Sequence, residues 1–224
     1  MADPVIGSDG FRYTYPHSQQ LQHSMNFKDP GLQIYGDSLF HDLQDTGDTA
    51  FCSLPSGGCF APESCIRLAD GSQRQIQSLN PGDLVWTPEG NARIQAVVKC
   101  GTKNRSQPMT QLGALSITPW HPVRVGGVWK FPTELAGYND RLMPVVYNLL
   151  LDKGHIVMVE GWECVTLAHG FNDPVVKHSF FGTQRVIEDL KRTNGWATGR
   201  PSFTNLVATR DQATNVIDGW IDEM

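Results

Sequence analysis

The chain has 224 residues, 40% of them hydrophobic, enough for one domain with a respectable core plus extensions. Its net charge is −5 and 18% of its residues are charged, with no basic cluster beyond pairs such as Lys191-Arg192, which excludes the electrostatic footprint of a nucleic-acid binder. No apolar run approaches the roughly 20 residues that a membrane helix requires, so no membrane partner is expected.

Residues 1–7 show no basic stretch followed by an apolar one, so no secretory signal is expected. The five cysteines (52, 59, 65, 100 and 164) cannot all pair within the chain, and their spacings match no zinc pattern. The expectation is therefore no metal, no cofactor, and reduced thiols in an intracellular, cytoplasmic setting. Such a setting suits chemistry that needs a thiolate.

Taken in order, residues 1–15 contain Asp3-Pro4-Val5-Ile6-Gly7-Ser8-Asp9-Gly10-Phe11-Arg12-Tyr13, which resembles a fragment of a U-box, the RING-like domain of some ubiquitin ligases. The pattern stops after Tyr13, too short to bury a core, so no ligase activity is expected of it. Residues 16–58 form a partly helical N-terminal segment. Leu39, Phe40, Leu43, Gly47, Ala50, Phe51 and Leu54 recur at helical spacing, with Asp37 or Ser38 as a cap.

From residue 59 to about 168 the signals are β. Ile66/Leu68, Leu84/Trp86 and Ile94/Ala96/Val98 alternate, and turns are marked at Asp70-Gly71, Asn80-Pro81-Gly82-Asp83, Pro88-Glu89-Gly90 and Gly126-Gly127. Many short strands between frequent turns predict a mainly β domain. Residues 171–224 read as a helical and mixed extension. Its helix starts near Thr183, carries Val186, Ile187 and Leu190 on its inner side and ends at Asn194-Gly195; a hairpin follows around residues 211–215.

The chemistry centres on Gly57-Gly58-Cys59-Phe60-Ala61-Pro62-Glu63-Ser64. Two glycines before a cysteine allow strained or positive-φ backbone beside a thiol. Downstream come Ile117-Thr118-Pro119-Trp120-His121-Pro122, Val146-Tyr147-Asn148-Leu149-Leu150-Leu151, His155-Ile156-Val157-Met158-Val159-Glu160-Gly161 and Leu167-Ala168-His169-Gly170. This ordered series resembles the Hint domain, the self-processing module of hedgehog C-terminal domains and inteins, over residues 59–170. The stretch before it is similar to the region preceding Hint in intracellular proteins that combine U-box, von Willebrand factor A and Hint parts.

The resemblance implies an interlaced β horseshoe and a set of roles. Cys59 is the nucleophile and the bond between Gly58 and Cys59 is the scissile one. His121 donates a proton to the scissile nitrogen, and Thr118 helps to hold the bent peptide. His155 stands where the closing strand of inteins often carries an assisting His, and His169 resembles their penultimate His. Gly170 replaces the Asn that would cyclise, so the expected activity is an N-to-S acyl shift with thioester cleavage and no full splicing. Water or an external thiol is the partner, with protein partners open. Near Lys99 and Cys100 no acid is found to activate a sterol hydroxyl, in contrast to hedgehog domains. Cys164 either approaches Cys59 as a resolving thiol or is simply buried, and Cys52 and Cys65 read as structural. The alternative from another class is an inactive Hint fold serving as a scaffold in a ubiquitin-linked protein.

Overall fold

The strand signals resolve, in a computed structural model, into a mainly β protein. The structure describes residues 5–6, 12–13, 58–204, 206–213 and 216–222. The expected helix within residues 37–54 and Cys52 lie outside these. The chain divides into two units, residues 1–48 and 49–224. In the first, β1 (Val5–Ile6) and β2 (Arg12–Tyr13) pair antiparallel.

The second unit carries the remaining described strands. β3 (Cys65–Arg67), β4 (Gln73–Gln75), β5 (Leu84–Val85) and β6 (Ala92–Gly101) are followed by β7 (Ser106–Leu112), β8 (Leu115–Ile117), β9 (Val123–Val125) and β10 (Val128–Lys130). Then come β11 (Tyr138–Leu142), β12 (Val145–Leu151), β13 (Ile156–Val159) and β14 (Trp162–Val165). Helix α1 (Gln184–Lys191) precedes β15 (Ser202–Phe203), β16 (Leu206–Arg210) and β17 (Ile217–Asp222). The sheets run β10-β9-β14-β13-β3-β4, β11-β7-β8, β12-β6-β15 with β5 also on β6, and β16-β17.

Two cores result, and β6 and β12 serve both. β12 alternates strictly between them, whereas β6 changes faces where the register shifts, Leu150 pairing with Ala96 and Leu151 with Ile94 so that Gln95 is skipped. Ala96, Val98, Cys100, Val146 and Leu150 face the core that contains Cys59 and Ala61. Ala92, Ile94, Val97, Leu149 and Leu151 face the one that contains Phe60. A strand buried on both sides reads as a nearly continuous apolar run, as Val145–Leu151 does.

Elsewhere the alternation misleads. Leu84 is 44% exposed and Val85 is buried, the reverse of the expected Leu84/Trp86 inner face. Trp86 instead lies under the guanidinium of Arg67, 4.9 Å from its ring centre. A two-residue strand is too short for its period to fix a face.

The helix starts as the sequence predicts. Thr183 caps it, accepting a hydrogen bond from the amide of Arg185, and Val186 and Leu190 are buried. Phe180, Phe181, Phe203, Ile217 and Trp220 join the Cys59 core, so the C-terminal extension is built into the domain. β15 adds to β6 in parallel, pairing Phe203 with Cys100, and the amides of Val97 and Lys99 donate to the carbonyls of Gly199 and Pro201 at 2.9 Å each. Among the described residues no helix is long and apolar enough to cross a membrane.

Candidate active site at the Gly58 and Cys59 peptide bond

The segment around Cys59 is held as a strand between two others. Phe60 bridges to Ile117 of β8 on one side and Tyr147 of β12 on the other. Its amide donates to the Tyr147 carbonyl (2.8 Å) and its carbonyl accepts from the Tyr147 amide (2.9 Å), while the Ala61 amide donates to Ser116 (3.1 Å). Period-two alternation then puts Phe60 in one core and Cys59 and Ala61 in the other. The peptide bond before Cys59 is thereby fixed at a seam between two sheets.

Thr-Pro-Trp-His makes a tight turn next to it. The His121 amide donates to the Thr118 carbonyl (3.2 Å), the i to i+3 bond of a β-turn with proline at its favoured second position. The Thr118 hydroxyl accepts from the Cys59 amide (2.9 Å), and the Thr118 amide donates to the Cys59 carbonyl (3.0 Å). Thr118 thus grips Cys59, the residue on the amine side of the Gly58–Cys59 bond, from both ends.

His121 lies on the acyl side. Its Nε2 bonds the Val165 carbonyl at 2.7 Å. A carbonyl only accepts, so Nε2 carries the hydrogen and Nδ1 presents a lone pair. Nδ1 is buried without a hydrogen-bond partner, and the ring is seated against Gly58 and, 4.3 Å away, Phe60. Burial holds its pKa down to about 4, helped by the neighbouring His169, although the Val165 carbonyl opposes the shift. At neutral pH it is a neutral base.

The carbonyl oxygen of Gly58 has its own donor, Asn148, whose Nδ2 hydrogen-bonds it. The amide of Leu149 donates to Asn148 Oδ1 (2.7 Å), which fixes which end of the side chain faces the substrate. Sequence reasoning missed this role. The available signal was a single amide side chain inside the apolar run of β12, where an unbonded polar group is costly.

The structure therefore brings Gly58, Cys59, Thr118, His121 and Asn148 together. The other two candidate histidines lie on either side of Val165 in the chain. His155, at a φ of 43°, accepts from the Thr166 amide through its carbonyl, and burial lowers its pKa against the contrary pull of the Leu167 backbone. His169 Nδ1 accepts from the Phe171 amide (2.9 Å), and its ring stacks on Phe171 at 5.1 Å. Burial first, and His155 second, hold its pKa down to about 4. The flanking amides of Ala168 and Gly170 donate to Phe181 (2.7 Å) and Gly182 (2.9 Å), so the chain beyond this junction is paired back onto it. Asn172 is exposed.

The cysteines divide clearly. Cys164 lies in the Phe60 core, with Sγ 3.5 Å from the Trp162 carbonyl, and burial raises its pKa well above the usual thiol value. None of the described cysteines is in a disulfide, so of the two roles open to Cys164 the structure shows the buried one. Cys65 is half-buried near Glu160; burial and that carboxylate raise its pKa. On the Cys59 side of β6 the inward residues are Ala96, Val98 and Cys100, and no carboxylate stands among the described buried polar side chains.

The family profile Vint, a Hint domain, matches residues 58–219, more than two thirds of the chain and well past residue 170. Similar solved structures include a DnaB intein from Synechocystis sp. PCC 6803, at 17% identity and a TM-score of 0.40, covering 49% of this chain and 98% of that one. A bacterial intein-like domain from Clostridium thermocellum is 18% identical at a TM-score of 0.40, covering 48% of this chain and 97% of that one. The gp41-1 intein is 14% identical at 0.39, covering 50% and 100%. Among curated proteins none matches. By the family match, the chain belongs to the Vint family of Hint domains.

Proposed function

We propose that this chain cleaves itself by an N-to-S acyl shift between Gly58 and Cys59, followed by opening of the thioester. The observation that carries the reading is the holding of one peptide bond from both ends: Asn148 on the carbonyl oxygen and Thr118 on the nitrogen, with His121 alongside. An amide resists attack because its amine is a poor leaving group. The site supplies what is needed to overcome that.

In the reaction the Cys59 thiol gives its proton to His121 Nδ1, and the sulfur attacks the Gly58 carbonyl carbon. Negative charge develops on the carbonyl oxygen, where the Asn148 amide already donates. The imidazolium then delivers the same proton to the Cys59 nitrogen as the carbon–nitrogen bond breaks. The products are a thioester on Cys59 Sγ and a free α-amine, with no net proton released. Water or a thiol opens the thioester and frees residues 1–58.

Gly170 offers no amide side chain for cyclisation, so the reading stops at cleavage without ligation. The need for a reduced thiol carries an intracellular setting into the same proposal. The U-box and von Willebrand factor A context rests on sequence resemblance and plays no part in this chemistry.

The test is cleavage by hydroxylamine at neutral pH, with the junction mapped by mass. Cys59→Ala is expected to abolish it and Cys65→Ala to leave it nearly unchanged. Equal behaviour of the two variants would mean that Cys59 is not the nucleophile.

A further inference from the structure

Gly58 is the one residue on the acyl side that the site itself describes, and the reason it is glycine is spatial. A Cβ built on Gly58 would fall 2.0 Å from Cγ, 2.2 Å from Nδ1 and 2.4 Å from Cβ of His121. Real carbon atoms do not approach so closely, and the atoms struck are the root of the imidazole, not the far end of a flexible chain.

His121 has little room to yield. Its Nε2 is tied to the Val165 carbonyl at 2.7 Å, its ring lies 4.3 Å from the fully buried Phe60, and its amide closes the turn on Thr118. Any side chain at residue 58 must push the imidazole off this seat or lift the scissile carbonyl off Asn148. Either movement separates the base from the bond that it serves.

We propose that His121 makes the site selective for glycine at the acyl position, so that the activated species is specifically a peptidyl-glycine thioester. This inference rests on the self-cleavage reading above. It assigns His121 a second duty, discrimination of the acyl residue, by occupying the space that any L side chain would need. The thioester so formed has an unbranched α-carbon, the least hindered acyl donor a peptide can present to an incoming nucleophile.

A double-mutant cycle separates this from a merely local disturbance. Hydroxylamine cleavage is timed in wild type, Gly58→Ala, His121→Ala and the double variant, with thermal unfolding as the folding control. The expected loss is about 10²–10⁴-fold for Gly58→Ala, similar to His121→Ala, because both remove the base from its place. The double variant is expected to be no slower than His121→Ala, since the alanine at 58 then enters vacated space. Losses that multiply, or a Gly58→Ala protein that cleaves at the wild-type rate, overturn the proposal. A second measurement stands apart from activity. In a Cys59→Ala background, which cannot react, Gly58→Ala is expected to shift the imidazole nitrogen resonances of His121, and unchanged resonances contradict it. If wild type itself does not cleave, the self-cleavage reading fails, while the resonance measurement still decides whether residue 58 and His121 compete for one space.

Discussion

The proposed cleavage uses a thiol, an imidazole and a hydroxyl that are visible in the sequence; a fourth side chain, Asn148, does not announce itself. Its Nδ2 reaches the Gly58 oxygen only because the Leu149 amide pins Oδ1. Replacing it by alanine removes a donor at the atom where charge develops, and cleavage is expected to slow by about 10²–10³-fold. Asn148→Asp is expected to be no better, because a carboxylate accepts and cannot donate to that oxygen. Single-turnover cleavage rates check both. Cys59, Thr118 and His121 were expected from the resemblance to Hint domains, and the fold sets them side by side. Asn148 was not, because its partner lies 90 residues away and only the pairing of Phe60 with Tyr147 sets them side by side. Gly58 was legible as half of a glycine pair; the space against His121 that its lack of a Cβ leaves was not.

The elements that place these residues differ in how far the sequence foretells them. The helix from Gln184 is written locally, in Thr183 at its cap and Val186 and Leu190 on its buried side. The hairpin of β16 and β17 is likewise local. That both pack on the Cys59 core is not local, since it depends on β15 joining β6 across a hundred residues. The segment from Val165 to Gly182 gathers His169 and His178, with His121 facing it. His178 Nδ1 accepts from the amides of Phe180 and Phe181, and burial, then His169, brings its pKa down to about 4. His121, His169 and His178 all titrate near 4 when folded, against 6.5 in the free side chain. Between those values the unfolded chain binds protons that the folded chain refuses. Stability is therefore complete above pH 6.5 and is lost as pH falls from there towards 4, at about 1.4 kcal/mol per unit for each independent imidazole. The thermal midpoint, followed from pH 7.5 to 4.5, is expected to be flat at first and then to fall. A midpoint unchanged at pH 5 contradicts the buried neutral assignment.

At the scale of the molecule, a strand-rich fold with a helical and mixed extension was readable from turn signals and short alternation. The division into two cores was not, because it rests on the register shift between β12 and β6 that skips Gln95 and turns β6 from one core to the other. The fold also bears on the outcome of the reaction. Residues after His169 return to pair with the junction through Gly182, extend β6 through β15 and close the Cys59 core with Trp220. In the proposed cleavage without ligation, a segment so built in stays with the folded domain. The most direct measurement is the mass of the N-terminal fragment released by hydroxylamine from freshly purified protein. A thioester at Gly58 predicts a fragment of residues 1–58 ending in a glycine hydroxamate, together with a partner beginning at Cys59. A fragment ending in a free acid at any other residue, or a single intact mass after prolonged incubation, would contradict it.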